Sequence, residues 1–301
     1  MTEEKRYFRM GKKMYVTDVV TGKKVFRGDC IELHDDVIGK VKTGTAFISK
    51  ESADISGYHG ADERKSSKQA ENAEKIRWGI EFECKFKRER QAAVMASLFK
   101  NGSAWNRAEK DCSLHETEEV AAMEAHLTGN NLRRVDKNLE TALRLTFLDE
   151  DCGTHFNLSF PDWDPDDYVR IADNADWIFS DLLAHLLENE DETIERCGRY
   201  FPYYADNTGD YAEHRNWLNL THCYEWDDDK RRFEWRLAKC TSVRQYVKLM
   251  QAITAVFKAV KKWLLLGYPK RSKATISRNV LKAWESAWEK LDKIDEKYGR
   301  V

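Results

Sequence analysis

The amino-acid sequence predicts an α+β fold in which helices back a curved antiparallel sheet, and three short segments carry this prediction. Bulky apolar residues alternate with polar ones in W-G-I-E-F-E-C-K-F (78–86), T-H-F-N-L-S-F (154–160) and R-R-F-E-W-R-L (231–237). Successive side chains of a strand point to opposite faces of a sheet. Each segment therefore predicts a strand with a buried apolar face and a polar face, as in antiparallel sheets packed against helices.

The polar faces of these strands carry the residue types that bind metal ions and phosphate. Glu81 and Glu83 stand two positions apart, so their side chains lie about 7 Å from each other and repel unless water, a cation or a basic group separates them. One such pair is typical of the solvated face of an ordinary sheet. Because histidine, asparagine, glutamate and arginine recur on the other two strands, we expect an open acidic face that serves as a site.

Five further segments show the apolar periodicity of amphipathic helices: 91–100, 136–148, 165–186, 243–264 and 280–291. The third begins after Asp164-Pro165, an acidic capping residue followed by proline at the first helical position. In the last, Trp284 and Trp288 form a stripe that indicates either core or a partner surface.

Length and charge limit the classes of protein. With 301 residues and 42% hydrophobic content, we expect one main domain: residues 1–50 as a small N-terminal β appendage, 51–75 as a linker or surface loop, and 76–301 as the main domain with C-terminal helices. The 50 basic and 52 acidic residues give a net charge of −2, which indicates no nucleic-acid or membrane partner.

Cysteine usage and hydropathy indicate a cytoplasmic protein. The seven cysteines are odd in number and scattered, with no C-x-x-C, which argues against a disulfide framework and a zinc ribbon. No apolar leader opens the sequence, and no apolar run is long enough to span a bilayer. The glycine-rich nucleotide loops and the G-x-S-x-G and H-E-x-x-H motifs are also missing, so phosphate binding would fall to metal and arginine.

Five short motifs follow one another between residues 76 and 265 in an order that matches a known family. They are Gly79-Ile80-Glu81-Phe82-Glu83, Asp111-Cys112-Ser113-Leu114 with Glu119-Val120, Cys152-Gly153-Thr154-His155-Phe156-Asn157, Arg199 and Arg215 with Asn219, and Glu234-Trp235-Arg236. In this order they resemble the amidoligases, which are carboxylate–amine ligases with a glutamine-synthetase-like fold. The resemblance implies the same fold here.

The resemblance also implies an activity, its cofactors and residue roles. ATP would phosphorylate a carboxylate, and an amine would displace phosphate from the acyl phosphate to give an amide, with Mg²⁺ and small-molecule or peptide substrates. The implied metal ligands are Glu81, Glu83, Glu119 and Glu234. The implied nucleotide-binding residues are Arg199, Arg215, Asn219 and Asn157, and the implied catalytic residues are Asp111, His155 and Arg236.

Two departures from the family pattern keep other functions open. Asn157 stands where the family has a second histidine, and Cys112 replaces the glycine of its D-G-S turn. One alternative is a catalytically inactive structural or interaction protein on the same fold, because ten tryptophans and long C-terminal helices suit an assembly surface or a homo-oligomer. The other alternative is a phosphotransferase.

Overall fold

A computed structural model of the chain describes residues 14–34, 45–55, 57, 76–100, 103, 105–129, 136–188, 217–228, 230–240, 242–265 and 272–298. Arg199 and Arg215 lie outside the described residues, as does most of the expected linker. The described part combines helices with antiparallel strands, which confirms the predicted α+β class. None of its helices is both long enough and apolar enough to cross a bilayer. None of its cysteines is in a disulfide bond.

Two small antiparallel pairs of strands open the chain. Strand β1 (Tyr15–Thr17) pairs with β2 (Lys24–Phe26), and β3 (Cys30–His34) pairs with β4 (Thr45–Ser49). A single helical turn, α1 (Lys50–Ala53), follows β4 directly.

The main sheet has six strands in the order β6-β7-β5-β8-β10-β9. The strands are β5 (Arg77–Lys87), β6 (Trp105–Glu109), β7 (Val120–Gly129), β8 (Thr154–Ser159), β9 (Leu218–Asn219) and β10 (Phe233–Ala238). Pairing is antiparallel between β6 and β7, between β8 and β10, and between β9 and β10. All three strands predicted from alternation are present, as β5, β8 and β10, whereas β6, β7 and β9 are not among the strands that alternation predicts.

The helices are α2 (Gln91–Phe99), α3 (Asp136–Leu145), α4 (Pro165–Ala172), α5 (Ala175–Ile178), α6 (Ser180–Glu188), α7 (Val243–Leu265) and α8 (Lys273–Tyr298). The apolar stripe that predicts one helix over 165–186 is divided among α4, α5 and α6. Asn174 lies at the first break, where its side chain donates to the Arg170 carbonyl (2.8 Å) and accepts from Trp177 Nε1 (2.9 Å). Such side-chain bonds compete with helical backbone pairing.

The chain divides into two compact units, and strand β5 runs through both. Among the described residues, the first unit contains 14–57 and 81–152, and the second contains 76–80 and 153–298. In this division the N-terminal strands belong to the same unit as α2. Gln91 Nε2 donates to the Ala53 carbonyl at 2.9 Å, and buried Asp18 accepts hydrogen bonds from Ser49 and Ser52.

The apolar faces predicted for the strands form the core. Trp78, Ile80, Phe82, Cys84 and Phe86 of β5 are all buried. In the second unit, Trp235 of β10 stacks on Trp284 of α8, with ring centroids 5.8 Å apart, and is fully buried. The C-terminal tryptophan stripe therefore contributes to the core through Trp284.

Candidate functional site

The polar face of β5 is mostly covered, which corrects the expectation of an open acidic face. Glu83 and Lys85 are only 1% and 4% exposed, and Glu81 is half-buried. Lys85 pairs with Phe147 through two backbone hydrogen bonds of 3.0 and 2.8 Å. Its ammonium lies 2.7 Å from Asp149 and 3.0 Å from Asp151, so the 146–151 loop closes over this end of the strand.

Beside this covered end, the first unit gathers an acidic cluster from three strands. It consists of Glu81, Glu83, Glu109, Asp111, Glu124 and His126. Strand β7 supplies Glu124 and His126, and Glu109 ends β6 directly opposite Glu124. Two sets of side chains each bring their ligand atoms within 4.8 Å of one another: Glu81 with Glu124 and His126, and Glu83 with Asp111 and Glu124.

His126 is the one basic side chain named in this cluster, and it lies beside two of the carboxylates. Its Nε2 lies 2.7 Å from Glu124 Oε1 and 3.1 Å from Glu109 Oε1. Nε2 is fully buried, yet it makes no well-aligned hydrogen bond with either carboxylate. Nε2 therefore lies close to both carboxylates without hydrogen-bond geometry to either.

Burial and crowding of like charges shift the protonation of the cluster. Burial raises the pKa of Glu124 to about 8; the contact with His126 lowers it, while the charges of Glu81 and Glu83 raise it further. Burial lowers the pKa of His126, but the surrounding carboxylates, Glu124 foremost, outweigh burial, and the net pKa is raised. With a pKa of about 8, Glu124 is expected to retain its proton at neutral pH.

Such a group of acidic and histidine side chains could hold a metal ion. Carboxylate oxygens are ligands for Mg²⁺, Ca²⁺ and Mn²⁺, and imidazole nitrogen adds affinity for transition metals. A cation would also relieve the repulsion that keeps the carboxyl groups protonated, so metal binding should release protons.

In the second unit, Glu234 is the centre of a different polar group. The carboxylate is 4% exposed, and β10 places it opposite Asn157 of β8 and Asn219 of β9. Asn219 Nδ2 donates to Oε2 at 2.8 Å, Arg236 Nη1 lies 3.3 Å from Oε1, and His155 Nδ1 lies 3.5 Å from the same oxygen. Both carboxylate oxygens are thus held in fixed positions by neighbouring donors.

Asn157, the departure from the family pattern, has a definite partner in the same unit. Its Oδ1 accepts a hydrogen bond from Arg232 Nε at 3.0 Å. On its other side, a Cβ added to Gly79 would lie 3.1 Å from Asn157 Cβ, so the glycine of G-x-E-x-E lets the strands approach closely here.

Most of the described residues that were predicted for the site lie in one of these two groups, and Glu119 lies in neither. Glu81, Glu83 and Asp111 lie in the acidic cluster, and His155, Asn157, Asn219, Glu234 and Arg236 lie in the second group. Glu119, expected as a metal ligand, is exposed, precedes β7 and belongs to neither group. Its position has the same phase as buried Ala121 and Met123, whereas Glu124 has the opposite phase.

Sequence reasoning missed Glu109, Glu124 and His126 in the first unit and Arg232 and His222 in the second. The alternation A-M-E-A-H-L over 122–127 is a strand signal that places Glu124 and His126 on one polar face. No comparable local signal marks His222, which lies on a 3₁₀ turn (Thr221–Tyr224).

In comparisons with known proteins, no family model, curated protein or solved structure matches the chain. Fold and site together define an α+β protein with a carboxylate–histidine cluster that could hold a metal ion.

Proposed function

We propose that this protein is an ATP-dependent carboxylate–amine ligase, which forms an amide or isopeptide bond through an acyl phosphate and releases ADP and phosphate. The observation that carries the proposal is the convergence of Glu83, Asp111 and Glu124, whose ligand atoms lie within 4.8 Å of one another. Glu83 and Asp111 come from two separate motifs of the resemblance to amidoligases. Their proximity is what a shared site would require, and nothing in their local sequence demands it.

Mg²⁺ fits the acidic cluster because the donors are mainly carboxylate oxygens. Glu83, Asp111 and Glu124 would hold it, and the neighbouring set of Glu81, Glu124 and His126 would allow Mn²⁺ to replace it. When bound, the ion neutralises phosphate charge and polarises the transferred group. Asp111 Oδ1 already accepts the Ser113 N–H at 2.7 Å, which fixes its carboxylate to receive an amine or a second cation.

The second unit has a cation of its own in Arg236. Its guanidinium could bind a phosphate group, since it donates several hydrogen bonds in a fixed plane. Its Nε is buried without an acceptor among the described residues. Asn219 holds one oxygen of Glu234, and the carboxylate would orient Arg236 and His155. Glu234 also stays a proposed metal ligand, as the resemblance implies.

Phosphorus NMR tests the reaction type. The protein is incubated with ATP, Mg²⁺ and pools of carboxylic acids and amines, and we expect ADP and inorganic phosphate with a new amide in mass spectra. AMP as the main product would contradict the proposal. A phosphorylated acceptor with no amide would support the phosphotransferase alternative. Glu83→Gln should lose turnover, whereas exposed Glu89→Gln serves as the matched control.

The non-catalytic alternative has one observation in its favour. Within each group the charges have partners before any ligand binds: His126 lies between two glutamates, and Glu234 between Asn219 and Arg236. A protein that only needs a stable sheet could use the same contacts. Absence of Mg²⁺-dependent ATP binding would favour this interpretation.

A further inference from the structure

Arg232 lies just before β10 and is held in place by three acceptors from three segments. Its Nε donates to Asn157 Oδ1 at 3.0 Å, its Nη1 donates to the Lys230 carbonyl at 3.2 Å, and its Nη2 lies 2.8 Å from His222 Nε2. The side chain is half-buried. A long flexible side chain is therefore confined to one orientation before any ligand arrives.

All three acceptors are uncharged. A guanidinium only donates, so His222 Nε2 must accept, which makes the imidazole neutral with its proton on Nδ1, 3.4 Å from Glu225 Oε1. Burial, followed by the charge of Arg232, lowers the pKa of His222 and agrees with this assignment. The geometry alone requires it, because a protonated ring would bring two donors together.

Unlike Arg231 and Arg236, Arg232 has no carboxylate partner among the described residues. Arg231 forms an ion pair with Asp228, and Arg236 lies 3.3 Å from Glu234. No carboxylate of the described residues lies within 4.0 Å of the Arg232 guanidinium, whose contacts are the three above. Of its five N–H groups, two remain without an acceptor in the described part of the chain.

We propose that Arg232 binds a phosphate group of a ligand, and that Asn157 and His222 are positioning residues for it. A planar guanidinium with free N–H groups matches phosphate oxygens, and neutral acceptors fix its direction without cancelling its charge. Half-burial reduces competition from water. Asn157 thus supplies an acceptor where the resembling family has a second imidazole. The proposal does not rest on ligase chemistry, since any phosphate-containing ligand would use this site.

Titration calorimetry with inorganic phosphate and with pyrophosphate, in the absence of metal and ATP, tests the anion site. We expect the parent to bind at least pyrophosphate and Arg232→Gln to bind it at least about tenfold more weakly, as for loss of a charge-assisted hydrogen bond. Arg232→Lys should fall between them, because it keeps the charge and loses the fork. The adjacent Arg231→Gln, already paired in the parent, should stay within about twofold.

A second pair of variants separates positioning from general damage. His222→Gln offers an amide oxygen to Arg232 and should bind pyrophosphate nearly as the parent does, whereas His222→Leu should weaken binding by about fivefold or more. Asn157→Asp would place a negative charge on Arg232 Nε and should abolish binding. An aspartate at position 157 would also face Glu234 and could destabilise the sheet, so thermal unfolding is measured for each variant. If Asn157→Asp does not fold, the Arg232 and His222 variants decide the test.

Two results would overturn the proposal: no binding of either probe by the folded parent, or equal binding by parent and Arg232→Gln. Equal binding by His222→Leu and the parent would remove the positioning role. Phosphate binding without amide formation would leave this site standing while contradicting the ligase, so the two proposals fail separately.

Discussion

Replacing Glu124 by glutamine should stabilise the metal-free protein about twice as much at pH 9 as at pH 6. The folded-state pKa of Glu124, raised to about 8 by burial and by the charges of Glu81 and Glu83, exceeds the ordinary value of 4.5. The folded state therefore binds this proton more tightly than the unfolded chain does. The resulting stability is fully present below about pH 4.5 and is lost as the pH rises through about 8.

The size of the effect follows from the two pKa values. A rise from 4.5 to about 8 corresponds to about 5 kcal/mol as an upper limit. The side chain is 13% exposed and can relax toward water, so we expect about 2 to 4 kcal/mol at pH 9. At pH 6, about 1.5 pH units above the unfolded value, the parent has already lost about 2 of these 5 kcal/mol. Glutamine resembles the protonated acid and should therefore stabilise by about 1 to 2 kcal/mol at this pH.

Urea unfolding at the two pH values, with a chelator present, measures this difference. Glu119→Gln is the matched control, since that side chain is exposed and outside the acidic cluster, and it should change stability by less than about 0.5 kcal/mol at either pH. If Glu124→Gln has the same effect at pH 6 and pH 9, Glu124 is already ionised at pH 6. The pKa of Glu124 would then not be raised to about 8 in the folded protein, which would contradict this prediction.

Three other substitutions test the fold around the site. Asp18→Ala removes a buried acceptor of several hydrogen bonds between the N-terminal segments and should cost about 2 to 4 kcal/mol in urea unfolding, while exposed Asp29→Ala should cost less than about 0.5. Lys85→Met leaves Asp149 and Asp151 without their cation and should lower the free energy of unfolding at pH 7. Because the pKa values of both aspartates are lowered in the folded parent, the difference between parent and variant should disappear as the pH falls below the ordinary aspartate range. Trp284→Ala should cost about 3 to 5 kcal/mol because it removes a stacked core ring, whereas Trp226→Ala, 96% exposed, should be nearly neutral in the same assay.

Strand alternation made the main sheet predictable wherever one face is strongly apolar. Phe82, Phe156 and Trp235 have large side chains with polar neighbours on both sides, so the period of two is unambiguous in the sequence. In β7 the buried face is built largely from alanine, as at Ala121 and Ala125. Alanine carries little apolar area and favours helices, so the same alternation gave a weak signal.

The covering of the polar face could not be predicted from local sequence. Lys85 is buried because the loop that carries Asp149 and Asp151, more than sixty residues later, folds back on it. The predicted open face at Glu83 and Lys85 was wrong for this reason. A charge can be buried when its partners are supplied from a distance, and residue pattern alone contains no record of those partners.

The candidate site was predictable in part, to the extent that its residues follow strand phase or match a motif. Glu81, Glu83 and Asp111 were expected at one site together with Glu119. The structure brings Glu124, which has the opposite strand phase, to the acidic cluster. His222 acts on Arg232 through the shape of a 3₁₀ turn, and such a contact appears only in three dimensions.

Calorimetric titration with ATP in the presence and absence of Mg²⁺ shows whether the acidic cluster holds the metal of a nucleotide complex. We expect Mg²⁺-dependent binding to the parent and to Glu89→Gln, and binding at least about tenfold weaker for a Glu83→Gln/Glu124→Gln double variant that remains folded. Equal ATP binding by the double variant and the parent, or no effect of Mg²⁺ on the parent, would contradict the claim that the acidic cluster holds the metal of a ligase.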